Sequence, residues 1–290
     1  MLRRQQRRIF SLRRIAHHLR GHRFEEGSDK ALTITDDIVQ FGVYTGGGLK
    51  AWADAMPLLG FNFSGRLVGF DSFAGMPLEE SSLLLRHHKQ DPAWAKGGLN
   101  AAAVMGSEDW PALKETLISN IGYARAKTIL VKGFFNVTLR AAAQPARRWL
   151  QGAFLVDIDC DLFTSTTQAL AFALETRVLR PGSFVYYDDL SEYDRKEHKR
   201  VMHLNEENLA HHNISAAWGL RWRTLPSLGK YPGPIGLAHQ PASSAVGASA
   251  TIPGPLAWVE QFPASHTGRW IPPERYPAVL QLVSCERCTA

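Results

Sequence analysis

Carboxylate side chains gather at the ends of two apolar segments of this sequence. Asp159 and Asp161 follow one apolar run, and the pair Asp188 and Asp189 ends the next one. Carboxylates brought to neighbouring strand ends repel one another unless a cation compensates them. Oxygen ligands suit Mg²⁺, Ca²⁺ or Mn²⁺ rather than zinc. The pattern therefore predicts a divalent cation among these four side chains.

A glycine-rich segment and a further aspartate indicate a nucleotide-like ligand. Gly46, Gly47 and Gly48 follow an apolar run and precede a helical pattern. Glycine lets the backbone approach a ligand, and the helix N-terminus offers N–H groups to an anion. Asp71 ends the following apolar run, where a carboxylate suits ribose hydroxyls, although capping of a turn is the plainer role. The spacing Gly-x-Gly-x-x-Gly is absent, which argues against a nicotinamide enzyme.

These residues lie at the ends of predicted strands in an alternating α/β pattern. Five apolar runs predict strands, and they lie at 37–44, 66–71, 128–132, 154–159 and 183–189. The alternation predicts a Rossmann-like, doubly wound, mostly parallel sheet, in which ligands bind outside the carboxyl ends of the strands. Helical spacing predicts a helix at 110–121, and the irregular segment 78–107 has the length of a lid. The segments 216–225 and 234–239 predict an antiparallel C-terminal strand pair.

The positive charge of the chain belongs to its N-terminus. The formal net charge is +6, and residues 1–23 contain eight arginines and no acidic residue, so subtracting these eight charges leaves −2 for the remainder. The concentration favours a basic leader over residues 1–30 that is solvated and partly disordered, with an amphipathic helix in weak contact with a membrane surface as the alternative. A nucleic-acid partner is not expected from the remainder of the chain.

Composition divides the rest of the chain into one domain and a tail. We expect a single domain over 31–240 and a Pro/Ala-rich, poorly structured tail over 241–290. The chain has three cysteines, and the Cys-x-x-Cys pair Cys285 and Cys288 lies in that tail. We expect neither a zinc site nor redox chemistry there, because the usual ligand number and context are missing. The absence of a secretory signal pattern favours a reducing, cytoplasmic location.

Five segments, taken in order, resemble the macrocin O-methyltransferase family of class I S-adenosylmethionine-dependent methyltransferases. The resemblance covers about residues 37–190 and rests on Phe41-Gly-Val-Tyr-Thr-Gly-Gly47, Val68-Gly-Phe-Asp-Ser-Phe-Ala-Gly-Met-Pro77, Lys132-Gly-Phe-Phe-Asn-Val-Thr-Leu139, Asp159-Cys-Asp-Leu-Phe-Thr-Ser165 and Arg180-Pro-Gly-Ser-Phe-Val-Tyr-Tyr-Asp-Asp189. It implies an enzyme that uses S-adenosylmethionine, assisted by Mg²⁺ or another divalent cation, to methylate a hydroxyl of a sugar or small natural product.

The resemblance also implies roles for particular residues. The residues that would contact S-adenosylmethionine are Gly42, Tyr44, Gly46, Asp71, Ser72 and Gly133. Asp159, Asp188 and Asp189 would bind Mg²⁺, and Asp159 would be the catalytic residue, with Asp161 next to the metal ligands or in contact with substrate. Leu162 stands where catechol O-methyltransferases carry a lysine, which favours a sugar-type acceptor. Gln40 departs from the acidic residue that many methyltransferases have near the first glycine turn.

Two other functions remain open from the sequence. A metal-dependent glycosyltransferase would use Asp159 and Asp161 as its Asp-x-Asp motif to hold a sugar nucleotide, which leaves Asp71 without a role. A catalytically silent, methyltransferase-like binding module would be tethered by its basic N-terminus. The histidines that follow the fifth strand are candidate general bases, although surface positions are expected for them: His198, His203, His211 and His212.

Overall fold

The computed structural model describes residues 2–21, 31–78, 95–140, 149–150, 152–188, 206–225 and 279–288. The strands in these ranges are β1 (Leu32–Ile34), β2 (Asp37–Phe41), β3 (Phe61–Phe63), β4 (Leu67–Asp71), β5 (Thr128–Lys132), β6 (Ala153–Ile158), β7 (Phe184–Tyr187), β8 (Leu220–Thr224) and β9 (Val279–Cys285). The α-helices are α1 (Leu2–Arg20), α2 (Gly47–Leu58), α3 (Ala101–Met105), α4 (Trp110–Ile121), α5 (Phe163–Glu175) and α6 (Glu206–Trp218). Residues 135–140 are also helical.

A seven-stranded sheet forms the centre of the molecule. Its strand order is β5-β4-β2-β6-β7-β9-β8, and the first five strands are parallel. Strand β9 runs antiparallel to both of its neighbours, β7 and β8. A separate parallel pair is formed by β1 and β3. The doubly wound, mostly parallel fold predicted from the sequence is therefore confirmed.

The central strands are apolar because helices cover both faces of the sheet. Every residue of β2, β6 and β7 is buried, as is typical of parallel strands between two helical layers. Two hydrophobic clusters lie on either side. One contains Phe41, Phe70 and Phe172, and the other contains Trp52 and Tyr186. Buried polar residues within these strands, such as Asp157 in β6, must therefore find partners inside the protein.

The N-terminal segment is a packed helix, so the expectation of a solvated leader is wrong for residues 7–20. Leu12, Ile15 and Ala16 are fully buried and belong to the same hydrophobic cluster as Trp52 of α2. The arginines are not all at the surface either, because Arg8 and Arg14 are buried. Amphipathic spacing, present in the sequence, fits a helix whose apolar face packs on the domain. The weak contact with a membrane surface stays a prediction. The apolar face of α1 that would make such a contact packs against the domain.

The C-terminal end of the chain supplies a strand. Strand β9 lies between β7 and β8, so the expectation of a poorly structured tail is wrong for residues 279–285. The predicted antiparallel C-terminal pair is present, and it is formed by β8 and β9. The predicted partner segment, 234–239, lies outside the described residues. Cys285 and Cys288 form a disulfide. None of the helices in the described ranges is both long and apolar enough to cross a membrane.

Candidate active site

The order of the strands reverses between β2 and β6, because β4 and β5 follow on one side of β2 while β6 and β7 follow on the other. Hydrogen bonds continue past the strands here, from Asp159 N to Phe41 O (2.9 Å) and from Asp188 N to Ile158 O (3.0 Å). Gly42 follows β2 with φ of 84°, and a Cβ atom there would lie 1.8 Å from the carbonyl oxygen of Asp159. Only glycine fits at this point. The geometry produces a crevice at the carboxyl ends of the strands, where ligands bind in folds of this type.

A cavity of about 890 Å³ occupies this crevice. Ligand-binding pockets span roughly 300–1,000 Å³, so the volume suits a small molecule of substantial size. One end lies against the turn between β2 and α2, and the other lies against the segment that follows β6. The lining residues include Tyr44, Gly47, Asp71, Ser72, Leu99, Phe134, Asn136, Asp159, Asp161, Ser165 and Gln168.

Asp71 organises the first end of the cavity. Its Oδ2 accepts hydrogen bonds from the backbone N–H groups of Val43 (2.7 Å) and Tyr44 (2.8 Å), and its Oδ1 accepts one from Phe73 N–H (2.6 Å). The carboxylate thus ties β4 to the turn after β2. Each carboxylate oxygen can accept more than one hydrogen bond, and Asp71 lines the cavity. The turn-capping role considered for Asp71 is present, and its position leaves a ribose contact available.

Helix α2 directs its N-terminus toward the same end. Its N-cap residue, Gly46, has φ of 86° and makes no side-chain cap, so the first N–H groups are not satisfied by a side chain of the N-cap. Gly47 and Gly48 at this terminus line the cavity. A helix N-terminus of this kind favours an anionic group such as a carboxylate.

The residues predicted to contact S-adenosylmethionine divide into two groups. Those on the cavity wall are Gly42, Tyr44, Asp71 and Ser72. Gly46 and Gly133 are not among the lining residues, and each makes room for a neighbouring side chain. A Cβ atom at Gly46 would lie 2.8 Å from Ile121, and one at Gly133 would lie 2.3 Å from Thr138. Both glycines are therefore placed to shape the turns that flank the cavity.

The second end of the cavity contains an arginine among the acidic strand ends. The Nε and Nη2 atoms of Arg8 donate to Asp157 (2.9 and 3.2 Å), Nη2 also donates to Asp159 (2.8 Å), and Nη1 donates to Asp188 (3.0 Å). Arg8 is 2% exposed and its guanidinium lies over the ring of Tyr186, 5.0 Å from the centroid. Burial opposes the charge of Arg8, but the three carboxylates raise its pKa well above the ordinary value. The guanidinium is therefore charged.

Asp157 is completely buried within β6 and has partners besides Arg8. In addition to Arg8, its Oδ2 accepts hydrogen bonds from Gln40 Nε2 (3.0 Å) and Trp52 Nε1 (2.7 Å). Gln40 and Asp157 are direct partners in the register of β2 and β6, and Tyr186 is the partner of Asp157 on β7. Complete burial raises the pKa of Asp157, while Arg8 and Trp52 act to lower it. Gln40, which departs from the methyltransferase pattern, thus serves this buried network.

The predicted metal ligands are only partly brought together in the manner expected. Asp159 and Asp188 lie close, but the guanidinium of Arg8 bridges them. Asp189 lies outside the described residues. Within the described ranges, no group of three or more His, Cys, Asp or Glu side chains is arranged to hold a metal ion. The described residues of this group do not fit a divalent cation in this arrangement, because the positive side chain of Arg8 already lies between Asp159 and Asp188.

Helix α6 holds the segment after β6 and contains the two described histidines considered as bases. Glu206 accepts a hydrogen bond from Phe163 N–H (2.7 Å) and Glu207 accepts one from Cys160 N–H (3.3 Å). His211 is buried, so the surface expectation is wrong for it, and its Nδ1 lies 2.8 Å from the hydroxyl of Tyr187. Burial lowers the pKa of His211 to about 3, and His212 adds to this. Neither histidine lines the cavity, and His198 and His203 lie outside the described residues.

Comparison with known families decides between the functions left open by the sequence. The model of the macrocin O-methyltransferase (TylF) family matches residues 22–219 of the chain. The chain belongs to this family. It is accordingly an S-adenosylmethionine-dependent O-methyltransferase, and the resemblance stated from the five segments is confirmed. The match favours the enzyme over a silent binding module and over a glycosyltransferase.

Several solved methyltransferase structures are similar to this O-methyltransferase. CalS11, a calicheamicin methyltransferase, is 22% identical over 69% of this chain and 70% of its own, with a TM-score of 0.46. The O-methyltransferase NovP is 16% identical over 77% of this chain and 75% of its own, also with a TM-score of 0.46. The S-adenosylhomocysteine-bound methyltransferase PaMTH1 of Podospora anserina is 12% identical over 66% and 67%, with a TM-score of 0.36. No protein of curated function matches the chain.

Sequence reasoning missed two charged residues of the methyltransferase site. Asp157 stands alone in an apolar strand, and a buried acid of this kind requires a partner. That signal was present in the sequence. Arg8 is one of eight N-terminal arginines with no mark that distinguishes it from Arg7 or Arg13. Its partners are 149 to 180 positions away, so only the fold identifies it.

Proposed function

We propose that this O-methyltransferase methylates a hydroxyl group of a sugar-containing small molecule. The observation that carries the proposal is the chemistry of the cavity wall next to the acidic strand ends. Polar side chains that line the cavity follow β6 there, and they are Asp161, Thr164, Ser165 and Gln168. Phe134 and Phe135 line the same cavity. Hydroxyl-rich ligands need several hydrogen-bonding partners, and a sugar ring also presents an apolar face to aromatic side chains.

The two ends of the cavity suit the two substrates. S-adenosylmethionine supplies a methyl group bound to a positively charged sulfur. The N-terminus of α2 suits its carboxylate and Asp71 suits its ribose hydroxyls. The acceptor would then lie beside Asp159, whose side chain is 17% exposed and faces the cavity. Membership of the macrocin O-methyltransferase family supports a hydroxyl group as the acceptor.

Positioning supplies most of the catalysis in this proposal. The bond between sulfur and the methyl carbon breaks as the acceptor oxygen forms its bond to that carbon, so the three atoms must lie in line. The hydroxyl proton leaves during this displacement. Asp159 is one of the carboxylates on the cavity wall, and in this proposal it accepts a hydrogen bond from the hydroxyl and receives the proton. No step is assigned to a metal ion, because Arg8 lies between the carboxylates that would hold one.

The test is methyl transfer from labelled S-adenosylmethionine to a panel of sugars, glycosides, sugar nucleotides and phenols. We expect methylation of a sugar hydroxyl, a lower kcat in Asp159→Asn, and a higher KM for the acceptor in Gln168→Ala with unchanged cofactor affinity. Asp54→Asn, at an exposed position of α2, is the matched control and should behave as the wild type. Transfer to phenols alone, or transfer of the sugar from a sugar nucleotide, would overturn the proposal.

A further inference from the structure

Helix α1 contributes a cation to a site that otherwise belongs to the parallel sheet. The guanidinium of Arg8 bonds to carboxylates that follow or lie within β6 and β7, namely Asp157, Asp159 and Asp188. Arg8 also lines the cavity. Charged hydrogen bonds of this kind between buried groups are strong and directional. The N-terminal helix is therefore part of the wall of the active site.

The guanidinium occupies the space between the two carboxylates that the resemblance assigns to a metal. Its Nη2 lies 2.8 Å from Asp159 Oδ2 and its Nη1 lies 3.0 Å from Asp188 Oδ1. Its planar fork donates to one oxygen of each carboxylate at once, in a way that a single point charge on lysine does not reproduce. Arg8 would repel a divalent cation at the same place, and the cation could bind only after the guanidinium had moved away.

Other contacts of α1 hold Arg8 in place. Arg14 donates to the carbonyl of Leu225, and Arg20 donates to the carbonyl of Leu59 (3.1 Å). His18 lies 3.2 Å from Oε1 of Gln281 on β9. Together with the buried apolar residues of α1, these contacts fix the helix to α2 and to the C-terminal strand. The backbone of α1, from which the Arg8 side chain extends, is therefore held in place beside the acidic group.

We infer that Arg8 is the resident cation of this acidic group and takes the place of a divalent metal. It acts as a positioning residue, because it holds Asp159 at the cavity wall and compensates the carboxylates of Asp157 and Asp188. Methyl transfer then requires α1 and requires no metal. The part of this inference that concerns activity rests on the proposed function, whereas the part that concerns cation binding does not.

The first test uses the wild-type protein. Binding of Mn²⁺ is measured from the electron paramagnetic resonance signal of the free ion, in the wild type and in Asp188→Asn. We expect no Mn²⁺ binding that depends on Asp188, and we expect an unchanged transfer rate in excess EDTA. A single Mn²⁺ bound by the wild type and lost in Asp188→Asn would overturn the inference. Loss of transfer in EDTA, restored by Mg²⁺, would overturn it as well.

The second test removes the guanidinium. Arg8→Ala exposes the carboxylates to solvent cations, so we expect this variant to gain one Mn²⁺ site that the added change Asp188→Asn abolishes. Its kcat should fall by about a hundredfold, as for a misplaced catalytic group, and Mg²⁺ should restore part of it. A purely structural role for Arg8 would lower the melting temperature without creating a Mn²⁺ site, which is the contrary result.

Two companion variants keep this test informative. Arg8→Lys retains the charge without the fork, so it should fold, exclude Mn²⁺ and show an intermediate kcat. Arg13→Ala, an exposed arginine of the same helix, should match the wild type in Mn²⁺ binding and in rate. If Arg8→Ala does not fold, the wild-type and Arg8→Lys measurements still decide. If no sugar is methylated, the Mn²⁺ measurements still stand, so the two proposals fail separately.

Discussion

The two ends of the cavity are stabilised by different kinds of bond. At the glycine-turn end, one carboxylate receives backbone N–H groups from positions at most 28 residues away. At the acidic end, three carboxylates share one guanidinium from a helix 149 to 180 positions away. A motif read from consecutive residues therefore describes the first end well. It describes the second end incompletely, because the compensating charge comes from a distant part of the chain.

The largest expected effect is a loss of folding stability when the ion-pair network at the acidic end is broken. Asp157→Ala removes the acceptor of Arg8, Trp52 and Gln40 and leaves a buried guanidinium with two carboxylates. Breaking a buried ion pair from one side costs about 3–5 kcal/mol, and urea unfolding measures it. The control is Asp36→Ala, which breaks an exposed pair with Arg180 and should cost less than about 1 kcal/mol. An equal cost for both variants would show that no buried network of charges stabilises the acidic end.

A smaller effect is expected at the glycine-turn end, and it concerns binding more than stability. Asp71→Ala leaves the N–H groups of Val43, Tyr44 and Phe73 without their acceptor. We expect the affinity for S-adenosylmethionine to fall by about 30-fold, which corresponds to roughly 2 kcal/mol, as measured by calorimetric titration. Asp54→Ala, on an exposed face of α2, is the control. Unchanged affinity in Asp71→Ala would show that the turn keeps its form without the carboxylate.

The smallest expected effect concerns the buried, uncharged pair of Tyr187 and His211, in contrast to the charged groups of the acidic end. His211 has a pKa of about 3 in the folded protein because it is buried, and an unfolded histidine has a pKa near 6.5. Below that value the unfolded chain binds a proton that the folded protein does not, so stability falls as the pH falls. We expect His211 to contribute a loss of about 1 kcal/mol between pH 7 and pH 5.5.

The matched variant for this pH effect is His211→Gln, which retains a hydrogen-bonding group for Tyr187 but does not titrate. Urea unfolding of both proteins at the two pH values isolates the contribution of the histidine. The stability of the variant should decline less on acidification than that of the wild type. Equal declines would mean that His211 is protonated in the folded state.

The sequence alone was sufficient for the repeating elements and the residues at their ends. The five parallel strands, helix α4 and the strand-end positions of Asp71 and Asp159 follow from hydrophobic periodicity and turn residues, whereas the first of these strands ends at Phe41 rather than at the predicted residue 44. The resemblance of five segments to the macrocin O-methyltransferase family could also be recognised from the sequence, and the family match confirms it. These features are local, since each depends on residues within about one strand or one turn of each other.

Only the tertiary structure decided how the acidic strand ends are compensated. The sequence indicates that such carboxylates require a cation, but a metal ion and an arginine satisfy the same electrostatic requirement. Arg8 is the arginine that compensates these carboxylates because the apolar residues of α1 pack on α2. This packing brings the guanidinium of Arg8 to β6 and β7. Strand β9 is likewise placed by a long-range contact, because it pairs with β7, from which it is distant in sequence. Long-range packing of this kind leaves little trace in a single sequence, because many arginines and many apolar segments carry the same local pattern.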